Sequence, residues 1–341
     1  MSRCAFVSFR LGLADGVSIV ADRWAEALTE LGYRVTTVAG EGPVDHVIPG
    51  LAIEATEPPT RAELAHALDD VDLVVVENLC TIPLNLRAAR AVADYLRGRP
   101  AIMHHHDPPW QRDRYGHITE LPVQDPAWRH VTINELTRHQ MAARGIEATT
   151  IYNPFRTDDP FGDRVGTRAA LGVGDDDLLV AHPVRAIPRK NIPLALRLAE
   201  ELDGVYWLLG EAEEGYGSHL DWLLSTAQVP VLRQPASAMP DIYAAADVVV
   251  FPSLWEGFGN PPVEASIHRR PVIVGNYPVA DELMSMGFRW FRPDELDEVR
   301  RLVAEPDEKL LDANRALAVE KLSIDASKRR IAALIEQAGW R

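Results

Sequence analysis

Short unbroken apolar runs, each followed by a longer stretch with apolar residues at helical spacing, recur along nearly the whole chain. That rhythm is the strongest constraint on the fold. A strand that is apolar on both sides has to be covered on both faces, which is the situation of a parallel sheet between layers of helices. The spacing predicts strands at 4–9, 34–39, 73–76, 101–103 and 130–133, with helices near 18–31, 60–69, 84–97 and 134–144. In the first helix Val20, Trp24, Ala27, Leu28 and Leu31 share a face, and Gly32 ends it. After Tyr152-Asn153-Pro154 the periodicity lapses, and the Pro-, Gly- and Asp-rich stretch to about Thr167 reads as a linker. The rhythm then restarts, with strands at 178–181, 205–209, 229–232, 248–251 and 271–274 and helices near 191–202, 218–227, 238–245, 261–268 and 279–285. A last helix at about 324–337 sets Ile324, Ile331, Leu334 and Ile335 on one side. No repeat at a solenoid period interrupts this pattern. The expectation is α/β: two doubly wound parallel-sheet domains facing a central cleft, with ligands beyond the carboxyl ends of the strands.

A length of 341 residues suits two such domains. With 50 acidic and 35 basic residues the formal net charge is −15, so the surface as a whole does not steer nucleic acid or anionic lipid toward it, and an anionic ligand needs a local pocket. Lysine is scarce: Lys190, Lys309, Lys321 and Lys328 are the four, against 31 arginines. Cys4 and Cys80 sit in or beside apolar runs and read as buried free thiols of a reducing compartment. No apolar run approaches the ~20 residues of a membrane span, and the apolar start is too short for a signal peptide, so a cytoplasmic location is expected. The basic groups Lys328, Arg329, Arg330 and Arg87, Arg90, Arg97, Arg99 read first as solvated charged faces, with peripheral membrane contact as the alternative.

Four segments carry candidate chemistry. In Pro252-Ser253-Leu254-Trp255-Glu256-Gly257-Phe258-Gly259-Asn260-Pro261-Pro262-Val263-Glu264 a strand end, a glycine-bearing loop and a proline-opened helix follow one another. Such a helix N-terminus suits an anion, while carboxylates beside it make sense as acceptors for sugar hydroxyls or as dipole-favoured helix-start residues. In Arg185-Ala186-Ile187-Pro188-Arg189-Lys190 a planar fork and a point charge stand five apart, a set able to clamp a diphosphate, or a solvated basic loop. That the sole lysine of the first 308 residues stands here favours the clamp. In His104-His105-His106-Asp107-Pro108-Pro109-Trp110 alternation along a strand sends His104 and His106 to one side and His105 to the other, so the three do not converge on a metal. The first loop, with Gly12 and Asp15-Gly16, allows close backbone approach or a plain tight turn, and lacks the Gly-x-Gly-x-x-Gly dinucleotide fingerprint. Glu77-Asn78 ends another strand and should face the cleft, with no role assigned by its residues.

The string from Pro252 to Glu264 resembles glycosyltransferase family 4, whose hallmark is Glu-x7-Glu within Pro-Ser-x-x-Glu-Gly-Phe-Gly-x-Pro-x-x-Glu; every fixed position is present. The resemblance implies a GT-B architecture of two Rossmann-like domains and a retaining, metal-independent transfer of a hexose from a nucleotide diphosphate sugar to an acceptor hydroxyl. It implies domains at 1–154 for the acceptor and 155–322 for the donor, with 323–341 returning to the first. Arg185, Lys190, Glu256 and His106 would carry catalysis. Gly16, Arg185, Lys190, Gly210, Glu256, Gly257, Phe258, Gly259, Asn260 and Glu264 would hold the donor, Glu264 on its ribose, with 233–238 by the base. Glu77, Asn78, His105, Asp107, Trp110 and Arg112 fall on the acceptor side, and His105 is the reserve for His106. Asn191 stands where many relatives have Gly, and Asp15-Gly16 where they have Gly-Gly. No cofactor is expected, since the nucleotide sugar is a co-substrate; the acceptor, whether small molecule, glycan or lipid, is not identified. Two other classes fit less well: a sugar-nucleotide-binding partner without transfer activity, against which the complete Arg/Lys and Glu/Glu sets argue, and a nicotinamide-dependent dehydrogenase, against which the missing fingerprint argues.

Overall fold

A computed structural model describes residues 2–340. It divides into two compact units, one running from the N-terminus through Arg156 and resuming at Leu322, the other spanning Thr157–Lys321.

The first unit holds β1 (Arg3–Arg10), α1 (Gly16–Glu30), β2 (Arg34–Glu41), β3 (His46–Val47), α2 (Arg61–Leu68), β4 (Leu73–Glu77), α3 (Leu86–Leu96), β5 (Ala101–His105), β6 (Trp128–Thr132), α4 (Glu135–Ala142) and β7 (Ala148–Thr150). Its sheet has the order β3-β2-β1-β4-β5-β6-β7, all parallel, with Val7 of β1 opposite Val38 on one side and Val76 on the other. The unbroken apolar run of β1 has a direct cause. Val7 points into one core with Leu64, Val76, Val92 and Met103, whereas Phe6 points into the opposite one with Trp24, Leu28, Ile102 and Val131. The edge strands β3 and β7 were not expected from the sequence; they are two and three residues long and partly exposed, so they carry no apolar signal.

The second unit holds α5 (Arg164–Leu171), β8 (Leu179–His182), α6 (Ile192–Glu201), β9 (Val205–Leu208), α7 (Gly217–Thr226), β10 (Val231–Leu232), α8 (Met239–Ala245), β11 (Val248–Phe251), α9 (Asn260–Ile267), β12 (Val272–Val274), α10 (Pro278–Met286), α11 (Leu296–Ala304) and most of α12 (Glu308–Leu322). Its sheet is again parallel, in the order β10-β9-β8-β11-β12. The expected linker to Thr167 is corrected: α5 begins at Arg164, capped by the Asp163 side chain. Polar contacts, more than an apolar stripe, anchor this helix. Arg164 meets Asp247 at 2.6 Å, and the buried Arg168 donates to Asp247 and to the carbonyls of Ala245 and Asp177.

The last helix, α13 (Ile324–Gln337), belongs to the first unit, where Ile324, Ile331, Leu334 and Ile335 join Trp24 and Leu28 of α1 in one core. Most of the basic residues suspected of membrane contact have protein partners, Arg330 lying over the Tyr152 ring. Lys328 pairs with Glu30 and Asp325, Arg90 with Glu120, Arg97 with Asp94 and Arg99 with Asp69, while Arg87 donates to the Thr56 carbonyl. Among the described residues no helix is long and apolar enough to cross a membrane. Both cysteines are free and buried, and burial pushes the Cys80 thiol up to about 12.

In each sheet the strand order reverses beside the first strand, between β1 and β4 in one unit and between β8 and β11 in the other. Loops after those strands diverge around a crevice, the usual ligand position of doubly wound sheets. All four segments singled out in the sequence begin at carboxyl ends of strands, and three of them follow strands flanking a reversal.

Candidate active site

In the second unit the loop after β8 and the loop after β11 are tied together: the Leu254 amide donates to the Arg189 carbonyl at 2.9 Å, and Asn191 Nδ2 to the Pro252 carbonyl at 3.2 Å. Asn191 adopts a left-handed conformation, with φ of 54° and ψ of 51°. That conformation favours glycine, and asparagine is among the few side chains that tolerate it. The turn sends Lys190 inward. Its Nζ lies 2.6 Å from Glu256 Oε1 and 4.6 Å from the centre of the Phe251 ring. Arg189 reaches the other oxygen, with NH1 2.6 Å from Glu256 Oε2 and 3.1 Å from the Trp255 carbonyl.

Lys190 and Glu256 are both buried. Burial lowers the Lys190 ammonium to about 8, Glu256 pulling the other way and the like charges of Arg189 and Arg185 adding to the decrease. For Glu256 burial opposes ionisation, but Lys190 and Arg189 outweigh it and hold the carboxyl below its ordinary range. The result is an ionised carboxylate between two cations, one of which has lost much of its hold on its proton. Arg185 is placed differently. It is exposed and paired to Glu213 at 2.6 Å, so the expected Arg185–Lys190 clamp is not assembled in this structure.

The glycine-bearing loop ends at Gly259, with φ of +92°, where a Cβ would lie 2.7 Å from the Tyr277 hydroxyl. Gly257 and Asn260 are half-buried and Phe258 is buried, and α9 starts at Asn260 with Pro261 and Pro262 in its first turn. One turn on, Glu264 accepts from the Tyr243 hydroxyl at 2.6 Å, and the Tyr243 ring stacks on His268 with centroids 5.3 Å apart. Gly210 follows β9 and lies against the β8 loop, where a Cβ would sit 2.2 Å from the Val184 carbonyl oxygen. Arg233, from the 233–238 stretch, donates to the Gly210 carbonyl at 3.0 Å. Sequence reasoning missed Arg189 and Tyr243. Arg189 was within a quoted motif, but its partner is 67 positions away, and Tyr243 lies in an ordinary apolar helix.

In the first unit Glu77 is fully buried at the end of β4 and accepts from both histidines on its side of the sheet: His104 Nδ1 at 3.0 Å and His106 Nε2 at 2.8 Å. Burial opposes ionisation of Glu77, yet the two imidazoles more than compensate and take its carboxyl down to about 2. Burial pushes His104 down despite Glu77 beside it. Asn78, in a left-handed conformation with φ of 59°, accepts from the His106 and Asp107 amides through Oδ1 and donates to Asp107 Oδ2. Arg112 also holds Asp107, and Trp110 donates to Gln140 at 2.8 Å beneath the Arg144 guanidinium.

One expectation changes. His105 is fully enclosed on the opposite side, its Nδ1 on Thr81 and its Nε2 on His130, so it is a core residue and neither an acceptor-side group nor a reserve for His106. Asp15 caps α1 by accepting from the Val17 and Ser18 amides. Gly16 itself meets nothing that a Cβ would touch. Among the described residues, Glu77, His104 and His106 are the group whose ligand atoms, all within 4.8 Å of one another, could hold a metal. Those atoms are already bonded to one another in the arrangement described.

Residues 166–321 match the family described as Glycosyl transferases group 1. A mannosylglucosylglycerate synthase from Thermotoga maritima is 25% identical over 94% of this chain and 91% of its own. Among solved structures, Anabaena HepE in complex with UDP-glucose has a TM-score of 0.78 at 19% identity, covering 99% of this chain and 100% of that one. A sucrose-phosphate synthase from Thermosynechococcus elongatus has a TM-score of 0.76 at 15% identity, with 99% of both chains covered. The two parallel-sheet units have the GT-B fold, and the chain is a glycosyltransferase.

Proposed function

We propose that this glycosyltransferase is a retaining, metal-independent hexosyltransferase of family 4 that uses a nucleotide diphosphate sugar and works in the cytoplasm. The observation that carries the reading is the buried Lys190–Glu256–Arg189 cluster at the strand-order reversal of the second unit. An otherwise acidic chain concentrates cations where the loop after β8 meets the N-terminus of α9, which is where a diphosphate would be held. HepE and the mannosylglucosylglycerate synthase support it, the first by its complex with UDP-glucose and the second by its name.

In this reading the donor diphosphate lies against the α9 amides and draws Lys190, with Arg185 swinging from Glu213 to join it. Glu264, steadied by Tyr243, accepts from the ribose hydroxyls, and Glu256 accepts from a hydroxyl of the hexose. Gly257 to Asn260 and Gly210 give the donor a close backbone approach. The bond from the anomeric carbon to the diphosphate oxygen breaks, and its electron pair leaves with the diphosphate. The acceptor oxygen bonds to that carbon on the same face, and its proton passes to the departing phosphate oxygen. Two cationic side chains offset the charge on the leaving group, a role that metal ions fill elsewhere. In the first unit His106, fixed by Glu77 and Asn78, is the candidate catalytic histidine, and Asp107, Trp110 and Arg112 are candidates for the acceptor.

The test is a panel of UDP-, GDP- and ADP-sugars scored by thermal shift and by nucleotide release with and without EDTA. One donor should raise the melting temperature and release its nucleotide diphosphate, unaffected by EDTA, with a glycerate glycoside first in the acceptor screen. Binding of a donor without transfer to any acceptor would favour the non-catalytic partner reading.

A further inference from the structure

Under the proposed reaction Lys190 has two anions to serve. At rest its ammonium is 2.6 Å from Glu256 Oε1; during transfer it has to meet the diphosphate. Glu256 is only 6% exposed. If Lys190 turned away and nothing replaced it, a buried carboxylate would stand uncompensated beside a second, doubly charged anion, a strongly unfavourable arrangement. Arg189 removes that difficulty. Its guanidinium binds the oxygen of Glu256 that Lys190 does not, at 2.6 Å. The same nitrogen is anchored by the Trp255 carbonyl at 3.1 Å, and the Arg189 carbonyl accepts from the Leu254 amide, so the side chain is tied to the loop that carries Glu256. Arg185 does not substitute: its guanidinium pairs with Glu213 rather than Glu256 and, in the proposed reaction, goes to the diphosphate.

We infer that Arg189 is a positioning residue: it keeps Glu256 charge-compensated and in place so that Lys190 can commit its ammonium to the donor diphosphate. The inference rests on the donor reading above and adds a residue to it. Lys190 faces Glu256, Arg189, Arg185 and, from the end of β8, His182; Glu256 faces Lys190, Arg189 and Tyr277. Of these, Arg189 is the group that both repels Lys190 and shares its counter-charge. Removing it makes Lys190 the sole cationic partner of Glu256, which tightens the pair and raises the ammonium toward the ordinary lysine range.

The scarcity of lysine makes this measurable. Full-length protein labelled with ¹³C at lysine Cε gives four side-chain signals, and Lys190→Arg identifies the one of interest. In R189Q the midpoint of the Lys190 signal should move up from about 8, and affinity for whichever of UDP, GDP or ADP binds the wild type should fall about tenfold by calorimetry. R189K, which keeps the charge, should stay within about threefold of wild type. A residue that merely braced the loop would alter stability without moving the Lys190 titration. A wild type that binds one diphosphate, with R189Q indistinguishable in both readouts, overturns the inference alone. A wild type that binds none of the three overturns the donor reading and this inference with it. Should R189Q not fold, R189K decides: a midpoint near wild type supports the inference, and one in the ordinary lysine range overturns it.

Discussion

Lys190 Nζ and Glu256 Oε1 stand 2.6 Å apart although their residues are 66 positions apart in the chain, one on the loop after β8 and the other on the loop after β11. Because Arg189 still holds Glu256, Lys190 can be shortened without leaving that carboxylate alone. Lys190→Ala should therefore fold and bind nucleotide weakly, while transfer at saturating donor drops on the order of 100-fold or more. Nucleotide release under single-turnover conditions measures this, and near-normal turnover would remove Lys190 from the reaction.

The same pair sets an alkaline limb. Lys190 is taken down to about 8 from an ordinary value of 10.5, chiefly by burial. As pH rises through about 8 the ammonium loses its proton, and with it the charge that offsets the diphosphate. The kcat/KM for donor should fall with a slope of −1 above that midpoint, because this parameter reports the free enzyme. In Lys190→Arg the limb should vanish below pH 10, since guanidinium keeps its proton there. A wild-type profile flat to pH 9.5 would contradict the assignment.

The layering of the fold is legible in the sequence itself. The strands that face both cores are unbroken apolar runs because residues such as Phe6 and Val7 alternate between two hydrophobic layers, and a sheet of that kind presents its loops at one edge. Lys190 stands out by the scarcity of lysine, and Glu256 and Glu264 by the family resemblance of the string that holds them. What was not legible is long-range pairing. Nothing local indicates that Arg189 turns to Glu256 while Arg185 turns to Glu213, or that Tyr243 reaches Glu264. Nor does the His104-His105-His106 run show that His105 is occupied by Thr81 and His130. The helix at Arg164 was hidden for a related reason, since its anchor Asp247 is about 80 residues downstream.

Glu77 links the first unit's stability to acid. Its carboxyl sits at about 2 against an ordinary 4.5, so the ionised form is favoured in the folded state. That contribution is complete above pH 4.5 and is lost as pH falls from there toward 2. Glu77→Ala also leaves the buried His104 and the His106 ring without their acceptor, and should cost about 3 kcal/mol at pH 7. Urea unfolding from pH 7 down to 2.5 should show the wild type converging on the variant below pH 4. A constant gap across that range would mean that Glu77 acts by packing alone.

Asn191 gives a test of backbone rather than charge. At φ of 54° it sits where a side chain with a Cβ is disfavoured, and its amide recovers part of that cost by donating to the Pro252 carbonyl. Asn191→Ala loses the hydrogen bond and keeps the steric penalty, so it should destabilise by about 1–2 kcal/mol. Asn191→Gly loses the same bond but relieves the penalty, at the expense of a more flexible unfolded chain, and should lie within about 1 kcal/mol of wild type. Because the turn aims Lys190 inward, the alanine variant should also raise the donor KM several-fold while the glycine variant does not. Equal losses of stability in the two variants, by thermal unfolding, would show that the hydrogen bond rather than the left-handed backbone decides this position.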